Sequence, residues 1–343
     1  MGMLIANGTL RVQQFWPGGR SDADTATIDL VPQASKAFTW VDNAGKRQPT
    51  RVFDNAEVVS KSGRKPAIKT SKNSTARKIT IRLQGLDAPE LHYQPQVPGS
   101  GGQGINHPFR QWLGETSANA LHDFLKGFGQ TDIPCEFLTV VQKPSEVCDM
   151  FGRFVGNIVL IQGGARIDIN QWLVREGWAM PGFYNSMLNH EILAVLAEHD
   201  DAKKAGRGLY SKKIITDHLA GFDPKRVERK GPQSFKPFSD KGPVNFPKFF
   251  RRQAELYVRR AVGQNVPMNL RAFIASKGSD YAIRRDACLK LKGPRIGKKP
   301  RPEFQPLATF LAGDRYPTGP EVVYWESDSA LVRAGTNTEI KSW

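Results

Sequence analysis

Ile79-Thr80-Ile81-Arg82-Leu83-Gln84-Gly85-Leu86-Asp87-Ala88-Pro89-Glu90 is the stretch whose reading decides the fold. Ile79, Ile81 and Leu83 alternate with Thr80, Arg82 and Gln84, the period of a half-buried strand. Gly85 interrupts the alternation. Pro89, with fixed φ and no N–H to donate, ends the strand in a turn. One arginine therefore lies on the polar strand face, with two carboxylates at a stiff strand exit. Phosphodiester cleavage needs such a set, namely a cation for the phosphate, a metal ligand and a base. Taken alone, the segment equally suits a solvated strand with an Asp-Pro-Glu turn.

Working outward, Ser21-Asp22-Ala23-Asp24 precedes a second alternating strand, Thr25 to Val31, which pairs as a hairpin with Thr9 to Phe15 across Pro17-Gly18-Gly19. Asp is also an ordinary turn residue, so turn chemistry alone could account for that pair. Downstream, Asp149-Met150-Phe151-Gly152-Arg153 leads into a strand from Phe154 to Ile161, with a further strand over Pro134 to Val141. Apolar spacing predicts helices over 109–128, over Ile169 to Trp178 with Gly177 as its C′ residue, and over Leu188 to Ala205. Five strands and about three helices in this order predict an α+β fold, an OB-like five-stranded β-barrel.

In this order, the strand exit at Asp87, the aspartate pair at Asp24, the Gly152-Arg153 turn, Asn170 to Ala179 and Ala202 to Ser211 resemble the staphylococcal nuclease family. The resemblance spans about residues 8–213 and implies a metal-dependent nuclease. It assigns Asp24 and Asp87 as side-chain metal ligands and the backbone carbonyl of Ala88 as a third. Glu90 becomes the general base or water-orienting group, and Arg82 and Arg153 the phosphate-binding arginines. It implies Ca²⁺, with Mg²⁺ or another divalent cation as alternatives, and DNA or RNA as substrate. Phe183 and Tyr184 fall where the family lines its nucleotide site. The family commonly has threonine at Ala88 and lysine and tyrosine at Met150 and Phe151, so metal preference and phosphate contacts differ here. For an isolated arginine a surface ion pair is the ordinary reading, and for aromatics after a helix, core packing.

A chain of 343 residues with net charge +16 favours two domains and a polyanionic partner. The expected divisions are a nuclease-like domain over 1–213, carrying an insertion at 31–78, a linker over 214–247 rich in Gly, Pro, Lys and Ser, and a basic domain over 248–343. The insertion predicts an extra hairpin (Phe38 to Val41, then Arg51 to Phe53) and a basic loop with Lys61, Arg64 and Lys65. Residues 214–343 hold 24 Lys and Arg against 13 Asp and Glu, concentrating the surplus there. A helix over Phe249 to Val262 carries Arg251, Arg252, Arg259 and Arg260; Arg284, Arg285, Lys298 and Lys299 belong to a second basic run, and Val322 to Trp325 reads as a short strand. Such stretches contact phosphates without sequence choice, or serve a protein partner.

No run approaches the roughly 18 apolar residues of a membrane span, and the N-terminal residues lack a signal-peptide pattern, so a cytoplasmic, non-membrane protein is expected. Cys135, Cys148 and Cys288 are odd in number and show no metal spacing; free thiols are expected. With no His/Cys cluster, zinc is not indicated.

Overall fold

The computed structural model describes residues 2–54, 58–60, 67–70, 76–100, 108–149, 151–184, 187–212, 222, 243–278, 280–290, 302–311, 322–326 and 331–333. Five strands form its centre: β1 (Gly2–Arg11), β2 (Thr25–Leu30), β3 (Arg77–Leu83), β4 (Asp132–Val141) and β5 (Phe154–Gln162). β1 pairs antiparallel with β2 and β4, β2 with β3, and β4 with β5, while β3 and β5 run parallel. The ring closes on itself without a free edge. This is the expected α+β, OB-like barrel.

Ile79, Ile81 and Leu83 are fully buried in the barrel core, as their alternation demands. Gly156 lies where β4 crosses β5: a Cβ there would stand 2.3 Å from the Leu138 carbonyl oxygen. The aromatic centre is tight, with Phe53 and Phe137 rings 5.4 and 5.7 Å from Phe154. Phe38 and Phe53 come from the 31–78 segment, so this segment contributes to the core instead of lying outside it. Burying such a ring stabilises the fold by about 1.5–3 kcal/mol. The inserted hairpin pairs Phe38–Val41 with Arg47–Pro49, and Val52–Asp54 is a 3₁₀ turn where a strand had been expected.

The helices are α1 (Gly114–Lys126), α2 (Ile169–Arg175), α3 (Asn189–Ala205), α4 (Pro247–Ala261), α5 (Leu270–Lys277) and α6 (Arg285–Lys290). α1 starts five residues later than its periodicity suggested, because Phe109 bridges to Tyr93 and Trp112–Leu113 form a turn with Leu113 at φ 64°. Asp168 caps α2, its carboxylate accepting from the Asn170 and Gln171 amides.

The C-terminal third packs on the barrel through two apolar clusters. Phe246 and Phe249 meet Trp112, Leu113, Met180 and Leu209; Phe250, Ala254 and Val258 meet Val97 and Phe109. Strand pairing ties it further: Phe183–Tyr184 runs parallel to Val322–Glu326, and Leu331–Arg333 pairs with Val58–Ser60. The three cysteines are buried and unpaired with one another. Among the described residues no helix is long and apolar enough to cross a membrane.

Candidate active site

Register assembles the site. Arg82 on β3 stands opposite Thr25 on β2 and opposite Val155 on β5. Asp24 directly precedes Thr25, and Arg153 directly precedes Phe154, so three adjacent strands deliver Asp24, Arg82 and Arg153 to one barrel end. Gly85, at φ +85°, then turns the chain so that Leu86 and Asp87 pair with Pro181 and Met180. That pairing fixes Asp87 beside Arg82.

Arg82 bridges two carboxylates, with Nη1 2.5 Å from Asp24 Oδ2 and Nη2 2.5 Å from Asp87 Oδ1. Asp24 Oδ2 also accepts from the Ala88 amide at 2.9 Å. The Asp-Ala-Pro-Glu turn is held from outside. Asp22 Oδ1 accepts from the Leu91 amide at 3.0 Å and faces the His92 ring, while the Gln111 side chain accepts from the Glu90 amide. Asp22 thus serves as a clamp on the turn, a role its sequence position did not reveal.

Arg153 is oriented by Asp149, whose carboxylate accepts from its Nε at 2.6 Å and from its backbone amide at 3.0 Å. The exposed Phe151 ring lies against the guanidinium. Burial and the neighbouring Arg82 would ease the proton off Arg153, but the charge and hydrogen bond of Asp149, with Tyr184, together raise it above its ordinary value. In sequence Asp149 is simply part of a turn; its positioning of Arg153 is legible only in three dimensions. Arg82, Asp87 and the buried Tyr184 share the lining of a small cleft with Phe246 and Lys248.

The residue that sequence reasoning missed is Arg251. From α4 it sends Nη1 to Asp87 Oδ1 at 3.0 Å, Nη2 to Asp87 Oδ2 at 2.9 Å and Nη1 to Glu90 Oε1 at 2.5 Å. Along the sequence it is one of four arginines on a basic helix suited to phosphates or to a protein partner. The helix is there, but these arginines are spent on internal contacts. Arg252 forks onto Asp280, Arg259 pairs with Glu255, and Arg260 donates to the Pro267 and Met268 carbonyls. No one-dimensional signal links position 251 to position 87.

Charge and burial compete at each carboxylate. Burial would raise Asp87, but Arg251 and Arg82 bring it down to about 2. Burial raises Glu90 to about 8, Arg251 offsetting only part of it and Asp22, Asp87 and Asp24 adding to the rise. Asp24 is also raised, by burial more than Arg82 lowers it.

Three carboxylates without imidazole or thiol are the chemistry of a hard-cation site. Here, however, both Asp87 oxygens and one of Glu90 are engaged by guanidinium N–H groups. Among the described residues no three His, Cys, Asp or Glu groups are arranged to share a metal ion. With Arg251 seated, the residues do not fit the expected divalent cation.

Of the other expected contacts, Arg284 is exposed and Arg285 pairs with Asp200 at 2.8 Å. Lys61, Arg64, Lys65, Met150, Lys298 and Lys299 lie outside the described residues.

Comparison with known proteins finds a family resemblance for part of the barrel region. Residues 80–212 match the family model of the staphylococcal nuclease homologues. Over these residues the chain is similar to that family. That match begins inside β3 and ends after α3, so Arg82, Asp87, Glu90 and Arg153 fall within it, while Asp24 and Arg251 fall outside. No individual curated protein matches the chain, and the C-terminal third has no family match.

Proposed function

We propose that this staphylococcal nuclease homologue hydrolyses phosphodiester bonds of DNA, RNA or both. One observation carries the reading: Asp24, Arg82, Asp87, Glu90 and Arg153, drawn from three strands and a turn, gather at one end of the barrel. Phosphodiesters resist attack because their charge repels nucleophiles and the leaving oxygen is poor, so a site must supply positive charge and a base. In this reading Arg153 binds the phosphate oxygens, and Arg82 does so by exchanging the Asp24 and Asp87 oxygens for them, a planar, permanently charged fork suiting two oxygens at once. Glu90 takes a proton from water as the water oxygen bonds to phosphorus. The P–O bond on the 5′ side breaks and its oxygen takes up a proton, leaving a 3′-phosphate.

Ca²⁺, which the resemblance brings with it, would add positive charge at Asp24 and Asp87. The oxygens it needs are held by the guanidinium groups of Arg82 and Arg251. The exposed Arg284, its neighbour Arg285 and the basic residues Lys61, Arg64, Lys65, Lys298 and Lys299 are assigned to sequence-independent phosphate contacts, and the buried Tyr184 to the wall of the small cleft beside Arg82 and Asp87.

A second reading, a nucleic-acid-binding module without catalysis, is favoured by the engagement of Asp87 and Glu90 by Arg251. Degradation of labelled single- and double-stranded DNA and RNA, with Ca²⁺, with Mg²⁺ and with chelator, separates the two. Cutting that Glu90→Gln and Arg82→Ala both remove supports the hydrolase. Tight binding without cutting under every condition replaces it with the binding module.

A further inference from the structure

Arg251 is not a surface side chain that happens to reach the site. Its helix is anchored on both sides, by Phe249 in one apolar cluster and by Phe250, Ala254 and Val258 in another. Next to it, Arg252 forks onto buried Asp280 at 2.5 and 2.6 Å. Ahead of the helix, the Gln111 side chain, which also accepts from the Glu90 amide, donates to the Asn245 carbonyl oxygen at 2.6 Å. The turn carrying Glu90 and the segment carrying Arg251 are therefore fastened to each other.

The contact has the form of a ligand in a site. The guanidinium fork covers both oxygens of Asp87 and one of Glu90, with the Arg251 side chain only 16% exposed. A hard divalent ion needs carboxylate oxygens at roughly 2.0–2.6 Å and without competing donors. The same oxygens cannot serve both, and two cations side by side in a buried site repel strongly.

We propose that Arg251 is the resident cation of this carboxylate site, and that Arg251 and a divalent metal ion are mutually exclusive occupants of Asp87 and Glu90. The folded chain thus supplies from its own helix α4 the charge that its family resemblance assigns to metal. The inference rests on Asp87 and Glu90 belonging to one site, as the proposed function also holds, but not on catalysis.

The test is Tb³⁺ luminescence titration of the 343-residue chain, with Ca²⁺ as competitor, on the parent, Arg251→Gln, Arg251→Lys and Arg251→Gln/Asp87→Asn. Arg251→Gln should gain one Ca²⁺-competed site at least ~100-fold tighter than anything in the parent, since a formerly paired dicarboxylate becomes a ligand. Asp87→Asn should abolish it, and Arg251→Lys, which keeps charge without the fork, should bind between the two. A parent protein that binds Tb³⁺ as tightly as Arg251→Gln overturns the proposal.

Should Arg251→Gln fail to fold, the parent alone still decides. Its thermal midpoint should not rise with Ca²⁺ at about 1 mM, the weak end of carboxylate sites. A rise that Asp87→Asn removes overturns the proposal. Nucleic-acid cleavage is not the readout. A chain that cuts nothing can still exclude metal, and one that cuts while loading Tb³⁺ keeps its activity and loses the exclusion.

Discussion

Asn170 joins the two parallel strands on which the site is built, and its removal is the most direct test of how the barrel holds the site. The side chain is buried at 4% exposure. Its Nδ2 donates to the Gln84 carbonyl at 2.9 Å and to the Gly156 carbonyl at 3.1 Å, and its Oδ1 accepts from the Ile158 amide at 3.2 Å. In Asn170→Ala the Gly156 carbonyl still receives the Gln84 amide. The Gln84 carbonyl and the Ile158 amide lose their side-chain partner. At ~1–3 kcal/mol for each buried group so deprived, the loss comes to about 4 kcal/mol. With an m-value near ~3 kcal/mol per molar, the urea midpoint followed by tryptophan fluorescence falls by about 1 M. The control is Gln171→Ala, one residue on and exposed, which should stay within ~0.5 kcal/mol of the parent. Because Gln84 is followed by the turn that delivers Asp87, nucleic-acid cleavage by folded Asn170→Ala should fall as well. An Asn170→Ala midpoint indistinguishable from that of Gln171→Ala would refute the reasoning.

Four further outcomes are expected. Arg82→Ala should lower cleavage of labelled nucleic acid by ~10²–10³-fold, since it removes a charge aimed at the phosphate, and Arg82→Lys should not restore it, lacking the fork that spans Asp24 and Asp87. With Glu90 held up to about 8 and acting as base only when ionised, cleavage should climb with pH through about 8 and level off above it, and Glu90→Gln should remove that rise. His199, buried against the Tyr210 hydroxyl, is lowered to about 4 from an ordinary 6.5. Its neutral form is the one the fold favours, so its contribution of about 3 kcal/mol is complete above pH 6.5 and lost as pH falls towards 4. Urea unfolding at both ends of that window should show a smaller loss for His199→Gln than for the parent. Finally, deleting residues 243–343 uncovers Phe109, Trp112, Leu113 and Met180. Size-exclusion chromatography should find the truncated chain aggregated, and a monomeric, cooperatively folding product would refute the packing account.

Local periodicity was enough to place the barrel strands. Ile79, Ile81 and Leu83 point inward because a strand alternates and water excludes those side chains, and no distant residue alters that. Likewise the motif order from Asp24 to Arg153 marked the residues that the barrel register then brought together. The 31–78 segment was harder to place: its aromatic residues suggested a separate hairpin, yet Phe38 and Phe53 complete the barrel core, because nothing in their spacing says which surface they cover.

By itself, then, the sequence determined the barrel, through short-range alternation and turn chemistry, and its resemblance to a known family marked five residues at the barrel mouth. Only the tertiary structure decided what those carboxylates hold. Asp22 and Asp149 became clamps on Leu91 and Arg153, and Arg251, 164 residues from Asp87, became the cation between Asp87 and Glu90. A buried charge must find its opposite wherever the fold brings one near. Which arginine of a strongly basic C-terminal third does so is settled by helix packing on Trp112 and Phe109, not by any pattern along the chain.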